Sequence, residues 1–288
     1  MREILIYFSE NINKVISEVI KQNQNVKIED NLKEIRIRIN RPIILKLRNM
    51  DICINYTVSE RDIMQTLEKL CENSLYAYKK QISEGYITIR GGHRIGITGT
   101  GVVEDDKIVN LKYISSLNFR VAREVKGCSN KVLKEIINRN ENTIYNTVLV
   151  SPPGKGKTTM LRDIIRNISN GIEELSFKGK NCGVVDERGE IAACYRGIPQ
   201  KDIGIRTDVI ENVSKEKGIL MLLRSMSPEV IACDEIGSKE DVQAIEKLTI
   251  SGVKGIFTMH GKTIEDVKNN KEVNKLLEKN ILEKIIFI

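Results

Sequence analysis

The sequence predicts two domains, a smaller α+β domain over residues 1–130 and an α/β domain with a parallel sheet over 131–288. Three observations carry this. A chain of 288 residues exceeds the roughly 100–200 residues of one ordinary domain. Residues 34–48 and 85–101 alternate apolar with polar side chains on either side of turn residues, the pattern of antiparallel hairpins. From about residue 130, short apolar runs alternate with helix-patterned stretches, as parallel strands with crossover helices do.

Composition bounds the classes of function. Hydrophobic residues make up 41% and charged residues 30%, a globular composition that excludes collagen-like and wholly disordered chains. No apolar run approaches the roughly 18 residues needed to span a bilayer, and Glu3 and Glu10 interrupt the stretch where a signal peptide would be apolar. The chain is therefore expected to start out cytoplasmic. Six cysteines lie scattered without C-x-x-C spacing, against a zinc site or a disulfide framework and for reduced core or loop thiols. The net charge of +7 divides as +6 over 1–135 and +1 over the remainder. A modestly basic first half suits nucleic acid, an acidic membrane surface, an acidic partner or simply a solvated surface, and charge alone does not choose.

Within the first domain, Ile35, Ile37 and Ile39 alternate with charged neighbours before the turn Asn40-Arg41-Pro42, which predicts a pair of strands. Ser59 and Asp62 form a capping-box pattern, and Ile63, Leu67, Leu70, Leu75, Tyr78 and Ile82 then predict one long amphipathic helix over 60–83, stopped by Gly85. GYITIRGGHRIGITGTG predicts a hairpin about Gly91-Gly92, with His93 a turn residue.

In the second domain, TVLVSPPGKGKTT runs from an apolar strand through a glycine-containing loop into the helix MLRDIIRNISN, which Gly171 stops. This is the context of a phosphate-binding loop, G-x-x-x-x-G-K-[ST], with Ser151 in place of the first glycine. Ser151, Pro152, Pro153, Gly154, Lys155, Gly156, Lys157, Thr158 and Thr159 are the expected nucleotide-binding positions. Amides from about Gly154 to Thr159 would cradle phosphate at a positive helix end. Lys157 would neutralise the β- and γ-phosphates, and the Thr158 hydroxyl would ligate Mg²⁺. A surface basic loop would also read GKGK, but without a strand before it and a helix after it.

Such a loop needs an acid-tipped neighbouring strand. Val230-Ile231-Ala232-Cys233 leads to Asp234, expected to hold Mg²⁺, and to Glu235, expected to position water or metal. A second strand, CGVVDERGE, ends in Asp186, Glu187 and Arg188, so the general base stays open between Glu187 and Glu235. A third, GIFTMHG, ends at His260, placed to donate a hydrogen bond to a γ-phosphate. The final IIFI is an apolar run that either pairs in the fold or is cut short.

Taken in order, the phosphate loop, the strand ending in Asp186-Glu187, LLRSMSPEVIACDEIGS and the TMH strand resemble the Walker A, Asp box, Walker B and His box of the secretion and pilus-retraction ATPases. LCENSLYAYKKQISEGYITIRGGHRIGITG, ISSLNFRVAREVKGC and LRSMSPEVIACDEIG are similar, more closely, to the stage III sporulation protein AA family, ATPases of endospore formers. The resemblance spans nearly the whole chain. It implies a RecA-like ATPase domain behind a smaller N-terminal domain, ATP and Mg²⁺ as ligands, and a homo-hexameric ring. It also implies that N-terminal arginines reach the nucleotide, the matching positions being Arg94, Arg120 and Arg123. A guanidinium, always charged and with several donors, suits that task. Ser151 and the abrupt C-terminal end depart from the broader pattern.

The expected function is an ATPase motor that powers assembly of, or transport through, the channel joining mother cell and forespore. Lacking a transmembrane segment, it would be recruited to the membrane on the mother-cell side by membrane-protein partners of that channel. A nucleic-acid translocase is the first alternative, disfavoured because the basic hairpins lack interleaved Phe or Trp for base stacking. A nucleotide-binding scaffold is the second, disfavoured by two acid pairs that a pure binder does not need.

Overall fold

Ile35 and Ile37 lie buried between Arg36 and Arg38, and this period of two sets the first sheet. The computed structural model describes residues 2–288, and the chain folds as two units, Met1–Arg123 and Glu124–Ile288. The strands of the first unit are β1 (Leu32–Arg38), β2 (Pro42–Leu47), β3 (Asp51–Thr57), β4 (Tyr86–Ile89), β5 (His93–Glu104) and β6 (Lys107–Arg120). They pair antiparallel in the order β3-β2-β1-β6-β5-β4. Two helices, α1 (Glu10–Gln22) and α2 (Glu60–Leu70), bury Ile12, Ile16, Ile63 and Leu67 against the apolar face, where Phe8 and Phe119 stack with ring centroids 4.2 Å apart. The capping box of Ser59 and Asp62 forms as expected. Burial would raise the Asp62 carboxyl, but hydrogen bonds from Ser59, Ser9 and Tyr56 hold it below its usual range.

Two expectations in this unit fail. The helix expected over 60–83 ends at Leu70, and a short second helix, α3 (Lys79–Ser83), follows after a turn. Glu72 and Asn73 adopt φ of 50° and 62°, and two successive left-handed residues cannot continue a right-handed helix. Leu75, counted into the apolar stripe, is instead exposed. The Gly91-Gly92 hairpin forms, with His93 in β5 rather than in the turn. His93 is buried there, and its Nδ1 accepts from the Ala122 amide at 3.0 Å.

In the second unit a short helix, α4 (Asn130–Ile136), precedes the central elements. These are β7 (Thr147–Ser151), α5 (Lys157–Asn170), β8 (Cys182–Asp186), β9 (Thr207–Glu211), α6 (Lys215–Ser225), β10 (Val230–Cys233), α7 (Lys239–Ile250), β11 (Lys254–His260), α8 (Lys271–Glu278) and β12 (Lys284–Phe287). The six strands form one wholly parallel sheet in the order β9-β8-β10-β11-β7-β12. Every residue of β7, β8 and β10 is buried, as parallel strands covered by helices on both faces require. Val148, Val150, Val185, Ile231 and Phe257 pack on one face, and Leu149, Val184, Ala232 and Ile256 on the other. The terminal apolar run pairs: Ile285 of β12 lies opposite Val148 of β7. Edge strand β9, polar and half-buried, was not anticipated from the sequence.

Candidate nucleotide site

Parallel register places the candidate residues at one level. His260 of β11 lies opposite Ser151 of β7, Phe257 of β11 opposite Cys233 of β10, and Cys233 opposite Val185 of β8. One residue beyond Cys233 and Val185 stand Asp234 and Asp186, so loop, acids and histidine share the C-terminal edge, where open α/β sheets bind ligands.

Ser151 is the last residue of β7 and is buried. Pro152 is half-buried, and Pro153, Gly154, Lys155 and Gly156 form the exposed loop. Gly154 and Gly156 have φ of 74° and 91°, and a Cβ on either would touch nothing, so conformation rather than crowding calls for glycine. The first turn of α5, which holds Lys157, Thr158 and Thr159, has amides without intrahelical acceptors, the usual donors to an anion.

Lys157 is buried, which pushes its ammonium below the usual range although Asp234 and Glu235 pull the other way. Its Nζ donates to Ser151 O at 2.9 Å, Pro152 O at 3.3 Å and His260 Nδ1 at 2.9 Å. The other ring nitrogen of His260, Nε2, stands 2.7 Å from Glu235 Oε1, and Glu235 Oε2 accepts from Arg188 Nη1 at 2.8 Å.

The Thr158 hydroxyl donates to Asp234 Oδ2 at 2.6 Å. Two hard oxygen donors so close fit a small divalent cation such as Mg²⁺. Thr158 and Asp234 would hold the ion, which would supply charge neutralisation at the phosphates. Thr258, wholly buried in β11, donates its hydroxyl to Asp234 Oδ1 and accepts from the Glu235 amide at 2.9 Å. Glu235 itself adopts φ of 51°. A glutamate in the left-handed region costs about 1–3 kcal/mol, offset here by Thr258 Oγ1 and Asp234 Oδ1, which both accept from the Glu235 amide.

The two acids of the second tipped strand do different work. Asp186 is buried, and its carboxylate accepts from the amides of Glu190, Ile191 and Ala192, so it folds its own loop rather than facing a ligand. Arg162 holds the same loop through the carbonyls of Glu190 and Ile191. Glu187 is partly exposed and pairs with Lys215 at 2.6 Å. Burial would lower the Lys215 ammonium, but Glu187 and Asp241 hold it above its usual range.

Arg94, Arg120 and Arg123 all belong to the first unit. Arg94 and Arg120 are directly opposite on β5 and β6, a costly like-charge pair. The Tyr86 ring 3.6 Å from the Arg94 guanidinium and Glu34 opposite Arg120 offset that cost. Arg123 donates to the carbonyls of Glu29 and Leu32 and so ties down its own unit. Thr258, Arg188 and Lys215 were not singled out from the sequence as site residues. For Thr258 a signal existed: a hydroxyl inside the otherwise apolar strand GIFTM must find a buried partner.

Comparison with known proteins gives the chain a family and its fold a set of neighbours. The family model described as "Sporulation stage III, protein AA" matches residues 6–288. "Stage III sporulation protein AA" of Bacillus subtilis (strain 168) is 37% identical over 286 residues, which cover 99% of this chain and 90% of that one. Among solved structures, the pilus retraction motor PilT, crystallised with bound ADP, aligns over 94% of this chain and 76% of its own at a TM-score of 0.61 and 16% identity. The ATPase DotB of Legionella pneumophila aligns over 93% and 74% at 0.59 and 16%. The likeness shows the fold expected from the sequence, a RecA-like α/β unit preceded by an antiparallel-sheet domain.

Proposed function

This chain belongs to the sporulation stage III protein AA family, and on that premise we propose that it is a Mg²⁺-dependent ATPase, a motor that works in sporulation. The observation that supports this best is the convergence of Lys157, Thr158, Asp234, Glu235 and His260 on one end of the parallel sheet. Lys157 and the loop amides bind the β- and γ-phosphates, and Thr158 with Asp234 provides the metal position. Glu235 orients the attacking water and accepts its proton as the water oxygen bonds to the γ-phosphorus and the bond to the β,γ-bridging oxygen breaks, giving ADP and phosphate. Glu235 is preferred to Glu187 as this group because it directly follows Asp234, whose carboxylate meets the Thr158 hydroxyl at the proposed metal position. Arg94 and Arg120 are the arginines proposed to meet the developing phosphate charge. Arg123 is given no such role in this reading, since its guanidinium donates to Glu29 O and Leu32 O.

The subunits are proposed to form a homo-hexameric ring that powers assembly of, or transport through, the channel between mother cell and forespore. Among the described residues no helix is long and apolar enough to cross a membrane, so recruitment to the mother-cell side of the membrane falls to membrane-protein partners. The test is the Mg²⁺-ATP hydrolysis rate per subunit across a wide range of protein concentration, with Lys157→Ala as the blank. A rate that rises with concentration and vanishes in the blank supports a ring with sites completed between neighbours. Glu235→Gln should keep nucleotide binding and lose at least 100-fold in rate, a loss of the size expected for a general base, whereas Glu187→Gln should lose less than tenfold. Equal losses would overturn the assignment of Glu235, and no rate above the blank would overturn the motor.

A further inference from the structure

An ammonium has three N–H donors, and Lys157 already has three acceptors: Ser151 O, Pro152 O and His260 Nδ1. Any phosphate oxygen that takes a proton from Lys157 must displace one of them. Ser151 O and Pro152 O are backbone groups at the end of a buried strand, whereas the imidazole is carried on a rotatable, partly exposed side chain. His260 is therefore the exchangeable acceptor.

The same ring reaches Glu235. A nitrogen that accepts from an ammonium carries no proton, so the Lys157 contact assigns the imidazole proton to Nε2. From there it is donated to Glu235 Oε1 at 2.7 Å, while Arg188 donates to Oε2 at 2.8 Å. Each oxygen of the carboxylate thus carries one donor, which fixes the plane of the group, and a water that needs the Oε1 lone pair facing the ring has to replace the imidazole.

We infer that His260 is a positioning residue that ties Lys157 to Glu235, and that the β- or γ-phosphate of a bound nucleotide breaks the tie by taking Lys157 from the ring. Loss of the Lys157 contact unlocks the imidazole, which then releases Glu235 Oε1 for the water. The phosphate loop and the acid strand are in this way coupled through one side chain: Glu235 is held back until phosphate occupies Lys157. The inference rests on the reading of the loop as a nucleotide site.

The chain contains only two histidines, which makes the contact visible directly. Full-length protein labelled with ¹⁵N in its imidazoles would be examined by long-range ¹H–¹⁵N correlation, with the His260 signals assigned by their loss in His260→Gln. Without nucleotide, His260 should show a single tautomer, protonated at Nε2, with Nδ1 shifted by its donor. Saturation with Mg²⁺ and the non-hydrolysable β,γ-imido analogue of ATP, followed in parallel by calorimetry, should move the Nδ1 resonance. Lys157→Met without analogue should move it in the same direction, with His93 unmoved in both. If the analogue binds and Nδ1 stays in place, the tie is wrong and the nucleotide site stands. If no analogue binds, both fall, whatever the Lys157→Met spectrum shows. A mixed tautomer in the nucleotide-free wild type would also overturn the inference.

Discussion

Replacing Thr258 by Val isolates the contact that holds the acid strand's turn. The two side chains have nearly the same shape, so the change removes a hydroxyl from a wholly buried position without opening a cavity. The wild-type hydroxyl donates to the charged Asp234 carboxylate and accepts from the Glu235 amide. A hydrogen bond to a charged group contributes about 1.5–3 kcal/mol. The Glu235 amide keeps a second acceptor, Asp234 Oδ1 at 3.1 Å, so its share is at most about 0.5–1 kcal/mol. The expected loss is then about 2–4 kcal/mol. Thr258→Ser keeps the hydroxyl and drops one methyl group, at a cost of about 0.8 kcal/mol. Valine should therefore be the less stable variant although it is the more hydrophobic. Urea unfolding followed by far-UV circular dichroism reads the order of the two midpoints, with the slope checked for constancy. The Mg²⁺ concentration that gives half-maximal ATP hydrolysis should rise for valine and not for serine. A valine variant as stable as the wild type, or more stable than serine, would refute the reasoning.

Two further outcomes are expected from ion pairs. Burial would raise the Asp163 carboxyl, but Arg166 and Ser129 bring it down to about 2. A carboxyl depressed in the folded state stabilises fully above its unfolded value of about 3.9, and that contribution is lost as pH falls through the folded value. Asp163→Asn should accordingly cost on the order of 2 kcal/mol at pH 7, and the difference from wild type should shrink between pH 4 and about 2, read by thermal unfolding across that range; a pH-independent difference would exclude the linkage. Lys215→Met leaves Glu187 and Asp241 without their shared cation. Because Glu187 is partly exposed, the cost should be only about 1–2 kcal/mol, and a double-mutant cycle with Glu187→Gln should recover at least about 0.5 kcal/mol of it as coupling.

How much of this was legible in the sequence depended on whether a feature is local. The phosphate loop was, because strand, glycines, lysine and hydroxyl are consecutive and each constrains the next. The strand ends at Asp186, Asp234 and His260 were also legible, since each is the first ionisable residue after an apolar run. The role of Asp186 was not: spacing placed it as an acid at a strand tip, but its oxygens are filled by amides four to six residues ahead, a loop path that no periodicity encodes. The helix over 60–83 failed for a related reason, because apolar spacing continued through Leu75 and Tyr78 while Glu72 and Asn73 had already turned the backbone.

The linkage of Lys157 to Glu235 was hidden for a topological reason. In sequence the strands run β7, β8, β10, β11, so the histidine strand is the last of the four and stands 103 residues from Lys157. In space β11 is inserted between β10 and β7. From that position one side chain touches both Lys157, which follows the loop after β7, and Glu235, which follows β10. Strand order is a long-range choice made by helix packing on two faces, and a single sequence shows which strands exist, not which are neighbours. His260 could be marked as the end of a strand, therefore, but its two contacts became visible only when Ser151 and Asp234 were placed on either side of it.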